Sequence, residues 1–185
     1  TFYTDPGENA RDLLSRHGYI ALRKGCDHQG LCGLCSIILD KKTINSCLLL
    51  AAQLDGKQIY TVEYLNKNRK LSVIQSALVE SGIVQCGYCT PAMVLAIKAL
   101  LDKKTEPTKK EIQDALSGIF CRCTGYEQLF KAIELAVGRL KDKSFSSTIA
   151  PEFREDLKTV GKVKTKVDAS KLVRGEKAFV EDMVE

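Results

Sequence analysis

No apolar run in this 185-residue chain reaches the roughly 20 residues that a membrane-crossing helix needs, so no membrane association is expected. Lys and Arg are scattered, apart from a modest concentration in 158–177. No basic stripe interleaved with aromatics accompanies them, and no nucleic-acid partner is expected. No Ser/His/Asp set, carboxylate pair or phosphate-cradling glycine loop stands out, so the chain carries no catalytic constellation of its own. Its 2 histidines, His17 and His28, lie in different segments, whereas a Rieske-type centre uses two together; a loop-surface role suits His28 better. An initiator Met is also missing. The sequence opens in what reads as the middle of a strand, 1–4, which implies residues upstream, and nothing visible resembles a targeting segment. A cytoplasmic location is the expectation.

The remaining composition, 44% hydrophobic, is enough to bury the core of one or two small domains. The first third alternates short β-like runs with turns: Asp5-Pro6-Gly7, a helix over 9–16 with Leu13 and Leu14 inward and Gly18 past its end, and a strand-like run at 19–22. A loop with Gly25, Gly30 and Gly33 follows, then Ile37-Ile38-Leu39, a charged turn Asp40-Lys41-Lys42, Thr43-Ile44, and another strand over 57–62. A small mixed sheet with one short helix fits this part.

After Lys70 the pattern turns helical. Ser72-Val73-Ile74-Gln75, Thr108-Lys109-Lys110-Glu111 and Thr124-Gly125-Tyr126-Glu127 each read as a capping box, in which two side chains satisfy orphan N–H groups reciprocally. Thr90-Pro91 reads as an N-cap followed by proline at the first helical position. Apolar spacing supports four helices: Val73, Ile74, Ala77 and Leu78; Val94, Ile97 and Leu101; Ile112, Ala115, Leu116 and Ile119; Leu129, Ile133, Val137 and Leu140. Short connections argue for a compact helical bundle. Residues 141–185, broken by Pro151, Gly161 and Gly175, read as a linker into something further.

The 8 cysteines carry the chemistry. Cys26, Cys32, Cys35 and Cys47 place three thiols in a glycine-rich loop and a fourth after a hairpin. This is close to the plant-type [2Fe–2S] spacing C-x4-C-x2-C with a distant fourth, but with five residues rather than four between the first two. An extra residue can bulge outward without moving the ligands. In the second set, Cys86-Gly87-Tyr88-Cys89 and Cys121-Arg122-Cys123 each immediately precede a helix start. Two positive helix ends thus converge on four thiolates, which suits an anionic cluster. Eight thiolates around two oxidised [2Fe–2S] cores would bring the formal charge from +5 to about +1. Two alternatives stay open on spacing alone: disulfides, disfavoured because the thiols crowd into loops, and two structural zinc sites in a binding module without redox function.

Gln85-Cys86-Gly87-Tyr88-Cys89-Thr90-Pro91 and Cys121-Arg122-Cys123-Thr124-Gly125-Tyr126 resemble signatures of the iron–sulfur subunit of molybdenum hydroxylases, the xanthine dehydrogenase and aldehyde oxidoreductase family. The resemblance runs over 1–140. It implies an α+β fold: a β-grasp plant-type ferredoxin domain (1–68) and an all-α four-helix domain (69–140), each with one [2Fe–2S] cluster. It further implies a relay. Two electrons left on a molybdenum–pterin centre, carried by another domain or subunit, would pass singly through the helical-domain cluster, then the ferredoxin-domain cluster, to a flavin (FAD) subunit or other acceptor. Gln85 and Cys123 would lie beside the pterin, and the loop 26–35 would face the acceptor. Val167-Asp168-Ala169 and Arg174-Gly175-Glu176-Lys177-Ala178 look like the opening of the molybdenum-binding domain, so 141–185 is expected to be linker plus that start. The fused order, with Pro6-Gly7-Glu8-Asn9 and Ile149-Ala150-Pro151-Glu152-Phe153-Arg154, is most similar to bacterial purine hydroxylases. Xanthine or another purine is then the expected substrate, and an aldehyde or another N-heterocycle the alternative.

Overall fold

The computed structural model describes residues 2–125, 127–145 and 164–183, without the side chains of 67–69. Thr1, Tyr126 and the motif at 149–154 lie outside the described residues. Helix α1 (Ala10–Arg16) starts where Asn9 accepts the Asp12 N–H at 3.0 Å and stops before Gly18, whose φ of +90° glycine adopts freely. Strands β1 (Ser36–Leu39) and β2 (Lys42–Asn45) form an antiparallel hairpin in which Leu39 faces Lys42. Asp40 and Lys41 both take positive φ, +47° and +67°, the twist that matches a two-residue hairpin turn. A two-residue strand β3 (Ile59–Tyr60) pairs antiparallel with the other edge of β1, giving the order β2-β1-β3.

The sheet is therefore antiparallel rather than mixed, and two expected strands do not form. Residues 2–4 lie outside any strand. At 19–22 the chain turns, and side chains take the place of a ladder: Glu63 accepts the Ala21 N–H at 3.1 Å, and Arg11 Nε donates to the Leu22 carbonyl at 3.1 Å. Strand β3 is shorter than 57–62 because Lys57 N–H bonds to the Leu54 carbonyl instead.

Strand β1 is buried on both faces, which explains its unbroken apolar run. Ile37 and Leu39 pack with Ala10 and Leu14 of α1, while Ile38 points into a larger core built by helices. These helices are α2 (Val73–Glu80), α3 (Thr90–Lys103), α4 (Lys109–Leu116) and α5 (Glu127–Lys141). The boxes at Ser72/Gln75 and Thr108/Glu111 form as expected. At α3 the cap is Cys89, one residue earlier than expected, with Pro91 in the first turn. Helix α3 is buried nearly all round, the signature of a central helix. Arg139 of α5 grips Glu80 of α2 with two bonds of 2.7 Å, while Leu140 is exposed. Ala115, Leu116 and Ile119 are half-buried rather than core. Among the described residues no helix is long and apolar enough to cross a membrane.

Residues 164–183 fold back onto this core. Helix α6 (Ala169–Val173) packs against α2 and α3. The fully buried Gln75 donates to the Val173 carbonyl at 3.1 Å, and Asn66 donates to the Arg174 carbonyl at 2.7 Å. Further on, the buried Arg23 guanidinium pairs with Asp182 and lies 4.8 Å from the Phe179 ring centroid and 5.6 Å from that of Tyr88. Burial works to raise the Asp182 carboxyl, but Arg23 and the N–H groups of Ala178 and Phe179 hold it at about 2.

Two predictions follow from these contacts. Arg23→Ala strands the Asp182 carboxylate in a dry site and should lower stability by about 3–5 kcal/mol, read as a fall in the urea midpoint. Because the folded carboxyl titrates below its unfolded value, the wild-type pair's contribution is present above about pH 4 and is lost as pH falls toward 2. At Gly33, with φ +68°, an added Cβ would sit 2.0 Å from the Gly118 carbonyl oxygen; at Gly56, also φ +68°, it would meet nothing within 4 Å. Gly56→Ala should therefore cost only the left-handed strain of about 1–2 kcal/mol, and Gly33→Ala clearly more, compared by thermal melting.

Candidate metal centres

All eight cysteines are free thiols, and they meet within the two sets expected from their spacing. In the first set Cys26 contacts Cys32, and Cys35 contacts Cys47, with Cys26 close enough to act electrostatically on Cys47. In the second, Cys86 contacts Cys123, and Cys89 contacts Cys121. Among the described residues, no three His, Cys, Asp or Glu side chains close around one point as a single metal ion requires. Pairs of thiols suit a group offering two metal centres.

The loop at 26–35 reaches this arrangement through backbone that glycine and short polar residues tolerate. Asp27 and His28, between the first two cysteines, take successive positive φ values of +48° and +66°, with Asp27 exposed. His28 is half-buried in this loop, with its Nε2 3.4 Å from Asp12. Three side chains that spacing could not single out hold the loop's carbonyls. Asn45 donates to Gly30 at 3.0 Å, Ser36 to Gly33 at 2.6 Å, and Ser46 to Cys35 at 2.6 Å. Backbone N–H groups also face the first sulfur. Those of Cys32, Leu31 and Gln29 bring the Cys26 thiol down to about 7, the strongest coming from Cys32.

Elsewhere crowding acts the other way. Burial, then the neighbouring Cys35 thiol, pushes Cys47 up to about 12, and burial with Cys121 raises Cys89 likewise. Thiols packed in this way resist carrying several negative charges together. A cationic metal core relieves the conflict by making all four thiolates at once, so the donor set fits an iron–sulfur group.

The expected capping box at Thr124 is not what its side chains serve. Thr124 Oγ1 lies 2.9 Å from Cys121 Sγ, and Glu127 bonds Lys109 at 2.9 Å. Gln85, exposed, donates to the Gly82 carbonyl at 2.7 Å and shares with Cys123, Thr124 and Gln128 the wall of a hollow of about 170 Å³. A larger hollow of about 520 Å³, between α4 and α5, lies away from every cysteine.

The two sets adjoin. Phe120 N–H bonds the Cys32 carbonyl at 2.8 Å, joining the residue before Cys121 to the first loop. Cys32, Leu34, Cys89 and Met93 form one buried apolar cluster. Tyr88, inside the second set, donates to the Lys24 carbonyl at 3.0 Å, and burial together with Glu181 raises its hydroxyl to about 12.

A [2Fe–2S] binding domain model matches residues 61–134. The chain is 44% identical over 180 residues to a probable hypoxanthine oxidase of Escherichia coli K12, covering 97% of this chain and 19% of that protein. It is 42% identical over 130 residues to the xanthine dehydrogenase iron-sulfur-binding subunit of Escherichia coli O157:H7, covering 69% of this chain and 81% of the subunit. The fold superposes on an aldehyde oxidoreductase from Desulfovibrio gigas with a TM-score of 0.84 at 29% identity, over 99% of this chain and 20% of that one. The chain thus spans about a fifth of the length of the hypoxanthine oxidase and aldehyde oxidoreductase relatives. With two four-thiol sets side by side and 81% of an iron–sulfur subunit matched at 42% identity, the chain belongs to the iron–sulfur family of the xanthine dehydrogenases and aldehyde oxidoreductases.

Proposed function

We propose that this chain is the electron-relay portion of a molybdenum hydroxylase acting on a purine such as xanthine. Cys86, Cys89, Cys121 and Cys123 would hold the [2Fe–2S] cluster that first takes electrons from a molybdenum–pterin centre on another domain or subunit. Cys26, Cys32, Cys35 and Cys47 would hold the cluster that passes them to a flavin (FAD) subunit or other acceptor. When bound, each cluster supplies a one-electron carrier. The protein's own residues keep the sulfurs dry, satisfy them with N–H groups, and hold the two sets in register. The carrying observation is the hydrogen bond from Phe120 to Cys32, which joins the two sets through the backbone.

The hollow shared by Gln85 and Cys123 supports their place beside the pterin. The proposed parts are a β-grasp plant-type ferredoxin domain at 1–68, a four-helix domain at 69–140, and a linker with the start of a molybdenum-binding domain at 141–185. A cytoplasmic location accords with free thiols. The hypoxanthine oxidase relative supports a purine over an aldehyde or another N-heterocycle.

Anaerobically purified protein should be coloured and contain about four irons per chain, and after reduction should give two distinct S = 1/2 EPR signals. A colourless protein holding zinc overturns the relay; a single signal overturns one ligand set. Cys123→Ser should remove the signal of the second set and leave the first, since the sets share no residue. Loss of both would mean that the two sets assemble as one unit.

A further inference from the structure

We infer that Thr124 tunes the reduction potential of the cluster at the second cysteine set by donating its hydroxyl to the Cys121 sulfur. This rests on the relay reading above. Thr124 gives Cys121 two contacts, Oγ1 at 2.9 Å and its backbone N–H at 3.3 Å. A ligating thiolate has no proton, so in the loaded protein the hydroxyl is the donor and the sulfur the acceptor. The sulfurs of Cys26, Cys32 and Cys47 receive backbone N–H groups. Thr124 differs in adding a side-chain hydroxyl, which a substitution can remove without touching the backbone.

Met93, 3% exposed, packs beside the half-buried pair, its sulfur 4.0 Å from Thr124 Oγ1 and 3.9 Å from Cys89 Sγ. With water held off on that side, the hydrogen bond is stronger than one in open solvent. Helix capping does not account for the geometry, because Glu127, the other half of the expected box, is turned to Lys109. Reduction adds one negative charge to the cluster, and a donor on its sulfur stabilises the more negative state. The hydroxyl therefore raises the potential, and with it the driving force for accepting the first electron.

The test is an EPR-monitored redox titration of the fully loaded protein, with the first-set signal as internal reference. Thr124→Val keeps the shape and removes the donor. It should lower the reduced-to-oxidised ratio of the second-set cluster at fixed potential by up to about tenfold, about 59 mV for a one-electron couple. The first-set signal should not move, and Thr124→Ser should restore the wild-type potential. An unmoved second-set potential in the valine variant overturns the inference, as does a serine variant that behaves like valine or an equal shift of both signals. If the valine variant does not load its cluster, Thr124→Ala asks the same question without added bulk. A wild-type protein lacking two signals overturns the relay reading itself, whereas unchanged potentials in the presence of both signals overturn only the role of Thr124.

Discussion

The close backbone approach between the loop at Cys32 and the segment leading into Cys121 is the constraint on which the rest of this structure depends. Gly33 lies so near the Gly118 carbonyl that no side chain fits, and the same approach lets Phe120 donate to Cys32. A relay of single electrons needs its carriers near each other and fixed. Here proximity is imposed by main chain, which has fewer ways to drift than a pair of long side chains. The apolar residues between the sets, Leu34 and Met93, then exclude water from the same region.

A second set of contacts bears on that approach from the other side. The segment 164–183 places Leu172 against Gly87, inside the second cysteine motif, and Gly175 against Ala21 and Val62. Arg23 closes the arrangement, paired with Asp182 and set among the Tyr88 and Phe179 rings, three residues before the first cysteine. The ion pair matters less for net energy, since burying two charges is costly, than for specifying one position of the segment relative to both cysteine loops.

Much of the candidate site was legible because its chemistry is local. Cysteine spacing sorts the thiols into sets without reference to the fold, and the boxes at Ser72 and Thr108 form because every partner lies within one turn. What failed was secondary-structure pattern overridden by competing hydrogen-bond partners. Residues 19–22 look like a strand, yet Glu63 and Arg11 satisfy the backbone there. Thr124 and Glu127 have the spacing of a cap, yet a sulfur and a lysine claim them.

The sequence by itself determined how the cysteines group and where α2 and α4 start, since these depend on neighbours a few positions apart. Only the tertiary structure decided that the two sets adjoin, that β1 is buried between two cores, and that Arg23 meets a residue 159 positions away. Such contacts follow from how preformed pieces pack, and packing depends on shapes and unsatisfied groups that no short window of sequence contains.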